Sequence, residues 1–336
     1  MNRYDYVRPD TIADAIAALN NPDARALAGG TNLVDLMKYD VARPALVVDI
    51  NRLPLKAIDI SDNELRVGAL VSNSELAWHP EIRARWPLLS SAILAGASPQ
   101  LRNAATTGGN LLQRTRCYYF YDPSTACNKR QPGSGCSAIG GVNRIHAILG
   151  ASDQCIAVHP SDMCVALAAL DAVVDVEGPQ GRRSIPFSGF HRLPDDEPDR
   201  DNMLKQGELI TSVSIPEPHF GVHHTYLKLR DRLSYAFALV SVAAALEIEN
   251  GVIKDARIAL GGVAHKPWRD FDAELALRGE AADTRVFETV ALRILSDAKG
   301  QGDNDFKIDL AHRAIVRALK QSAAGTPQDQ ADKAIQ

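Results

Sequence analysis

What most limits how this 336-residue chain can fold is where it keeps its thiols. Four of its five cysteines, Cys117, Cys127, Cys136 and Cys155, lie between residues 117 and 155, and Cys164 follows nine positions later. An odd count, in a large chain whose N-terminus MNRYDYVRPD shows no apolar signal-peptide core, argues against a disulfide framework. Clustered thiols point instead to metal or cluster ligation. No CxxC occurs, which counts against a zinc ribbon or a thioredoxin-type redox pair. The segment CYYFYDPSTACNKRQPGSGC is a Pro/Gly-rich loop, and widely spaced cysteines on such a loop can wrap a [4Fe–4S] cube, whose corners need thiolates from separated directions. Arg114, Arg116, Lys129 and Arg130 flank the thiols; cations there lower thiol pKa values and offset the negative charge of a cysteinate-ligated cluster. Cys164 sits in MCVALAAL, where an apolar helix buries it as a small hydrophobe. The competing reading, five inert buried thiols, fits poorly with a stretch this polar.

The rest of the chain is long enough for two or three domains with real cores. A net charge of −4 and a pI near 6.1 give no electrostatic case for nucleic acid or anionic membrane. No run of about 18 apolar residues predicts a membrane span. An extended start over residues 4–8 is broken at Pro9, and a helix then begins near Thr11 with Ile12, Ala15, Ile16 and Leu19 on one face. ALAGG reads as a strand into a tight turn, Thr31 as the start of a short helix, and ALVVDI (45–50) as a buried strand. Residues 65–70, 172–177 and 209–215 suggest a second sheet. The polar stretch 187–207 reads as a long loop or lid. Residues 236–249 and 253–261 alternate like antiparallel strands joined at Asn250-Gly251, a hairpin dipeptide. Helices follow at about 284–299 and 305–321, and the last fifteen residues read as a frayed tail.

Two glycine turns carry binding chemistry. AGGTNL (28–33) places two glycines between a strand and a helix, where the backbone can aim successive N–H groups at an anion and a phosphate can approach closely. An ordinary strand–turn–helix connection would look the same. The turn is neither a Walker loop, since no Gly-Lys-Ser/Thr occurs, nor a dinucleotide fingerprint, since GxGxxG spacing is missing. ASPQLRNAATTGGNLLQ (97–113) again joins hydroxyls to glycines, and two such loops can clasp a pyrophosphate from both sides. HPSD (159–162) precedes the helical run 163–172; Asp162 can cap that helix or accept from a ribose hydroxyl.

In that order and spacing, AGGTNL, ASPQLRNAATTGGN and HPSD resemble the FAD-binding subunit of the xanthine dehydrogenase family of molybdenum hydroxylases, over nearly the whole chain. KLRDRLSYAFALVSVAAAL (228–246) and IALGGVAHKPWR (258–269) look like that family's flavoprotein C-terminal domain. The cysteine loop is similar to the insert of periplasmic aldehyde oxidoreductase flavoprotein subunits, and more distantly to that of the 4-hydroxybenzoyl-CoA reductase subunit. The resemblance implies an α+β protein of the vanillyl-alcohol-oxidase/PCMH type. FAD would lie between two N-terminal α/β subdomains, 1–60 and 61–220, the second carrying the iron–sulfur insert at about 114–156; an antiparallel sheet with helices would form a C-terminal domain over 221–336. It also implies that Leu27, Ala28, Gly29, Gly30, Thr31, Asn32 and Leu33 meet the cofactor from one side, and Thr106, Gly109, Asn110 and Gln113 from the other. Asp162 would bond the ribose, Ile210 would lie near the adenine or flavin, and Lys228 would reach the flavin, where a cation favours the reduced anion. A solvated lysine on a strand is the plain alternative for Lys228. Cys117, Cys127, Cys136 and Cys155 match the positions of the [4Fe–4S] ligands.

Substrate chemistry is expected elsewhere, because no molybdopterin-binding pattern and no nucleophile–base constellation stands out. The expected role is electron transfer in a heterotrimer, from molybdenum on a large subunit and [2Fe–2S] centres on a small one to an external acceptor. The compartment would be cytoplasmic, or periplasmic if a signal-bearing partner carries the folded chain across. Two other classes compete: a non-catalytic assembly module that binds no FAD, and a self-sufficient MurB-like flavin reductase.

Overall fold

Three sheets account for the named strands of the computed structural model, which describes residues 1–330. The first is parallel, with Leu46–Asp49 between Asp5–Val7 and Ala24–Leu27. Its helix Ile12–Leu19 starts where the Thr11 hydroxyl accepts the Asp14 N–H at 3.1 Å, and it buries Ala15, Ile16 and Leu19 as the apolar spacing predicts. The helix expected from Thr31 begins instead at Leu33 and runs to Lys38. Gly30, at φ 72°, turns the chain first, and Asn32 stands at the cap position with its side chain committed elsewhere.

The second sheet is antiparallel, in the order Ile58–Ile60, Glu64–Gly68, Leu209–Pro216, Val173–Gly178, Gly181–Pro186. Between Glu64–Gly68 and Val173–Gly178 the chain forms the helices Asn73–Trp78, Pro80–Arg85, Pro87–Ala95 and Pro99–Ala104. Three of these helices open on proline, whose fixed φ suits a first turn. None was expected from the sequence.

The third sheet runs Trp268–Arg269, Val252–Gly261, Val240–Glu249, His224–Leu229, all antiparallel. Its long hairpin turns at Asn250 and Gly251, with φ of 52° and 79°, the paired positive values of a type I′ turn. The strand Val240–Glu249 does not alternate buried with exposed, as expected; Val240 through Leu246 are all buried. The period of two survives as a division between cores. Val242, Ala244 and Leu246 pack with the helices Thr284–Ile294 and Phe306–Ala324, while Ala243 and Ala245 face the core around Asp162–Ala169.

Three other expectations are corrected. The stretch 187–207 is irregular after the short turn Phe187–Gly189, but it is no free lid: Phe190 and His191 are buried and Asp201 is ion-paired. The helix expected to reach 299 ends at Ile294, and Lys299 donates its N–H to the Ile148 carbonyl at 2.8 Å. The C-terminal segment is held to residue 330: helix continues to Ala324 and ends on Gly325 at φ 65°, then Gln328 N–H bonds Thr225 Oγ1 at 2.9 Å and Gln330 Nε2 bonds the Tyr226 carbonyl at 2.9 Å. Only residues 331–336 of the expected tail lie outside the described residues. No helix among the described residues is long and apolar enough to cross a membrane.

Candidate cofactor sites

The two glycine turns meet. A Cβ on Gly29 would fall 1.8 Å from the Ala104 carbonyl oxygen, so glycine is what lets the turn after Leu27 rest directly on the chain leading to Thr106. The main-chain N–H groups of Gly29, Gly30, Thr31 and Asn32 donate to no acceptor among the described residues. Successive free amides beside glycine form a concavity suited to a phosphate, so the donor set fits a pyrophosphate. Asn51, which the sequence reading passed over, braces this turn: its Nδ2 donates to the Ala28 carbonyl at 3.0 Å and to Asp49 Oδ1 at 2.7 Å.

Across from it, Thr106 caps the short helix Thr107–Leu111, its hydroxyl accepting the Gly109 N–H at 3.2 Å. Gly109 is exposed, and an added Cβ would meet only that hydroxyl. Asn110 Oδ1 accepts from Gln113 Nε2 at 3.2 Å and from the Ser161 hydroxyl, which ties this turn to the HPSD segment. Ser161 is also the cap of the helix Asp162–Ala169, so the capping expected of Asp162 falls to its neighbour. Both oxygens of Asp162 are taken: Oδ1 by the Tyr226 hydroxyl at 2.7 Å, Oδ2 by Lys228 Nζ at 2.8 Å. The side chain of Lys228 is 1% exposed, which excludes the solvated lysine. Burial pushes the Tyr226 hydroxyl well up, and the Asp162 charge adds to it. Ile210 is buried in the main core, in the strand Leu209–Pro216 and paired with Val176.

Residues 114–156 contain one short helix, Tyr118–Tyr121, and fold back on themselves. Cys127 and Cys136 form an isolated bridge pair, Asn128 N–H bonds the Gly135 carbonyl at 2.7 Å, and Gly135 turns at φ 96°. All five cysteines carry free thiols. Cys117, Cys127 and Cys155 pack in one buried cluster with Cys136 against it, whereas Cys164 belongs to the main core. Burial raises the Cys117 thiol to about 12, with Cys127 and Cys155 adding to the rise. It raises Cys155 to about 11 against the opposing charge of Lys129. Left alone these would be inert thiols; four cysteines packed together fit a cluster that binds them as thiolates and so offsets that cost.

The flanking cations are less available than expected. Asp201, from the irregular stretch, pairs with Arg114 at 2.6 Å and with Lys129, whose Nζ also bonds the Pro198 carbonyl at 2.6 Å. Burial alone would raise the Asp201 carboxyl, but Arg114 and Lys129 outweigh it and hold it well below the carboxylate range. Nothing in the run DDEPDRD marked Asp201 beforehand. Asn32 joins the two sites: its Oδ1 accepts the Arg114 N–H at 2.9 Å and its Nδ2 donates to the Tyr121 hydroxyl at 3.4 Å. One more constellation escaped the sequence reading. His159, Cys164 and His191, all buried, have donor atoms within 4.8 Å of one another, and one nitrogen of each imidazole is already bonded within the chain.

The sequence matches two family models: the FAD binding domain in molybdopterin dehydrogenase over residues 2–218, and the CO dehydrogenase flavoprotein C-terminal domain over residues 224–322. It is 48% identical to the aldehyde oxidoreductase FAD-binding subunit PaoB of Escherichia coli K12, over 96% of this chain and 99% of that one. It is 27% identical to the carbon monoxide dehydrogenase medium chain of Hydrogenophaga pseudoflava, over 94% of this chain and 96% of that one. Among solved structures, carbon monoxide dehydrogenase from Hydrogenophaga pseudoflava superposes with a TM-score of 0.76 at 27% identity, covering 96% of this chain and 98% of that one. Quinoline 2-oxidoreductase from Pseudomonas putida 86 gives 0.74 at 25%, covering 97% and 98%.

Proposed function

The chain belongs to the xanthine dehydrogenase/CO dehydrogenase family of FAD-binding medium subunits of molybdenum hydroxylases, and from that premise we propose that it is the FAD- and [4Fe–4S]-carrying electron-transfer subunit of an aldehyde-oxidising complex. Its partners would be a large molybdopterin subunit and a small [2Fe–2S] subunit, and electrons would leave from this chain to an external acceptor. The observation that carries the reading is the join at Asn32, which ends a run of four free amides on one side and is hydrogen-bonded to the cysteine loop on the other.

The residues divide the work. Leu27 through Leu33 would hold one face of the FAD pyrophosphate, with the amides of Gly29 to Asn32 as donors; Thr106, Gly109, Asn110 and Gln113 would hold the other. Asp162, Lys228 and Ile210 would orient the rest of the cofactor. The pair Asp162–Lys228 keeps one cation and one anion in place out of water, and with Nζ bonded to Asp162 and the Ala95 carbonyl the ammonium retains one N–H for a bound group. Cys117, Cys127, Cys136 and Cys155 would ligate the cluster. Bound FAD exchanges electrons singly or in pairs, and bound [4Fe–4S] exchanges them singly.

Co-expression with the two partner subunits tests this. Stoichiometric FAD released from the purified complex is the expected result. A colourless medium subunit that still binds both partners would overturn the reading in favour of an assembly module. Aldehyde turnover by this chain alone would overturn it in favour of a self-sufficient reductase.

A further inference from the structure

Among the four cysteines, Cys117 and Cys155 meet different surroundings. Both are buried, and the Lys129 ammonium lies near Cys155. The main-chain N–H groups of Phe120 and Tyr119 stand at the Cys117 sulfur. A third donor stands beside them. His146 Nε2 lies 3.1 Å from Cys117 Sγ, with both residues buried, well within the range of an N–H···S hydrogen bond.

His146 is held in that place from the C-terminal domain. Its N–H bonds the Asn143 carbonyl at 3.0 Å. Its carbonyl accepts from Asn304 Nδ2 at 3.1 Å and from Lys307 Nζ at 2.7 Å. Asn143 is itself fixed to residues 301 and 303, by Nδ2 to the Gln301 carbonyl at 2.8 Å and by Oδ1 from the Asp303 N–H at 3.0 Å. The Tyr118 ring meets the imidazole edge-on at 6.5 Å between centroids. A thiolate sulfur can only accept, so with Cys117 Sγ facing it at this distance the imidazole carries a hydrogen on Nε2.

We propose that His146 donates an Nε2–H hydrogen bond to the Cys117 sulfur and thereby raises the reduction potential of the [4Fe–4S] cluster; this rests on the cluster reading above. The added electron makes a thiolate-ligated cluster more negative, so a fixed donor at one sulfur stabilises the reduced form more than the oxidised one. His146 is a positioning and tuning residue and not a ligand, since Cys117 already occupies its contact.

The test uses the purified complex carrying wild type, His146→Leu or His146→Gln, with iron counted per chain and the cluster titrated by EPR at controlled potential. Glutamine can set its amide N–H near the place of Nε2, and leucine cannot donate. The expected result is equal iron in all three, a midpoint moved to lower potential in His146→Leu, and a smaller shift or none in His146→Gln. Loss of iron in His146→Leu with retention in His146→Gln supports the same donor role. Equal midpoints at equal iron overturn it, and loss of iron in both variants overturns it in favour of His146 as a ligand. A wild-type chain without iron overturns the cluster reading itself, an outcome separate from the others.

Discussion

At Asp162 three buried polar groups depend on one another: the carboxylate, the Lys228 ammonium and the Tyr226 hydroxyl. Removing one member of a buried pair leaves an uncompensated charge, which costs about 3–5 kcal/mol. Asp162→Ala should therefore lose stability on that scale in urea denaturation. The double variant Asp162→Ala/Lys228→Met should lose less than the sum of the two single variants; additive losses would show that the pair is not coupled. Lys307 is the second such residue. It is buried with two carbonyls as its hydrogen-bond partners, and burial, with the Arg144 charge adding, lowers it to about 7. Its folded pKa lies below the unfolded value, so above about pH 7 the unfolded chain binds the extra proton. Stability should then rise with pH from about 7 toward the unfolded lysine pKa near 10.4. Melting curves of wild type against Lys307→Met check this: the wild type should gain on the variant from pH 7 to 9, and parallel curves would contradict it. Sequence could mark Asp162 and Lys228 singly, but not their pairing across 66 positions, which depends on the helix Asp162–Ala169 being laid against the third sheet. Lys307 gave no signal, because a lysine near a helix start reads as solvated until the helix is placed.

Elements show why the glycine turns were legible and the helices before them were not. AGGTNL is legible as a turn that could seat an anion because adjacent glycines after a strand permit it, although an ordinary strand–turn–helix connection would look the same. The close approach of Gly29 to the Ala104 carbonyl gives that motif a steric reason. Gly29→Ala should force the two turns apart and abolish FAD retention while the chain stays folded. Gly189→Ala, where an added Cβ meets nothing within 4 Å, should leave flavin content unchanged. Equal flavin in both variants would show that the close packing of the turns is not what forms the site. The helices from Asn73 to Ala104 are short, and the prolines at 80, 87 and 99 each stand in a first turn, where proline is tolerated. The hairpin was found through Asn250-Gly251, but its burial was misjudged. Alternation marks a strand with one wet face, and Val240–Glu249 is covered on both.

Across the whole molecule, the cysteine loop is a long segment that the regular elements do not organise. It is pinned on one side to the first glycine turn through Asn32, and on another to the C-terminal domain through Asn143, Asn304 and Lys307. Asp201 closes over it from the irregular stretch by pairing with Arg114 and Lys129. A stretch this poor in periodic structure was readable only by its thiols and their spacing, and the contacts that anchor it come from positions far apart in sequence. The separation of Cys164 from the other four follows from the apolar helix that carries it. The central claim is that four thiols here serve one cluster, and iron analysis tests it most directly. Wild type and Cys164→Ala should each hold about four iron and four acid-labile sulfide per chain, as a [4Fe–4S] centre requires, and Cys127→Ser should hold essentially none. Iron absent from the wild type, or undiminished in Cys127→Ser, would contradict it.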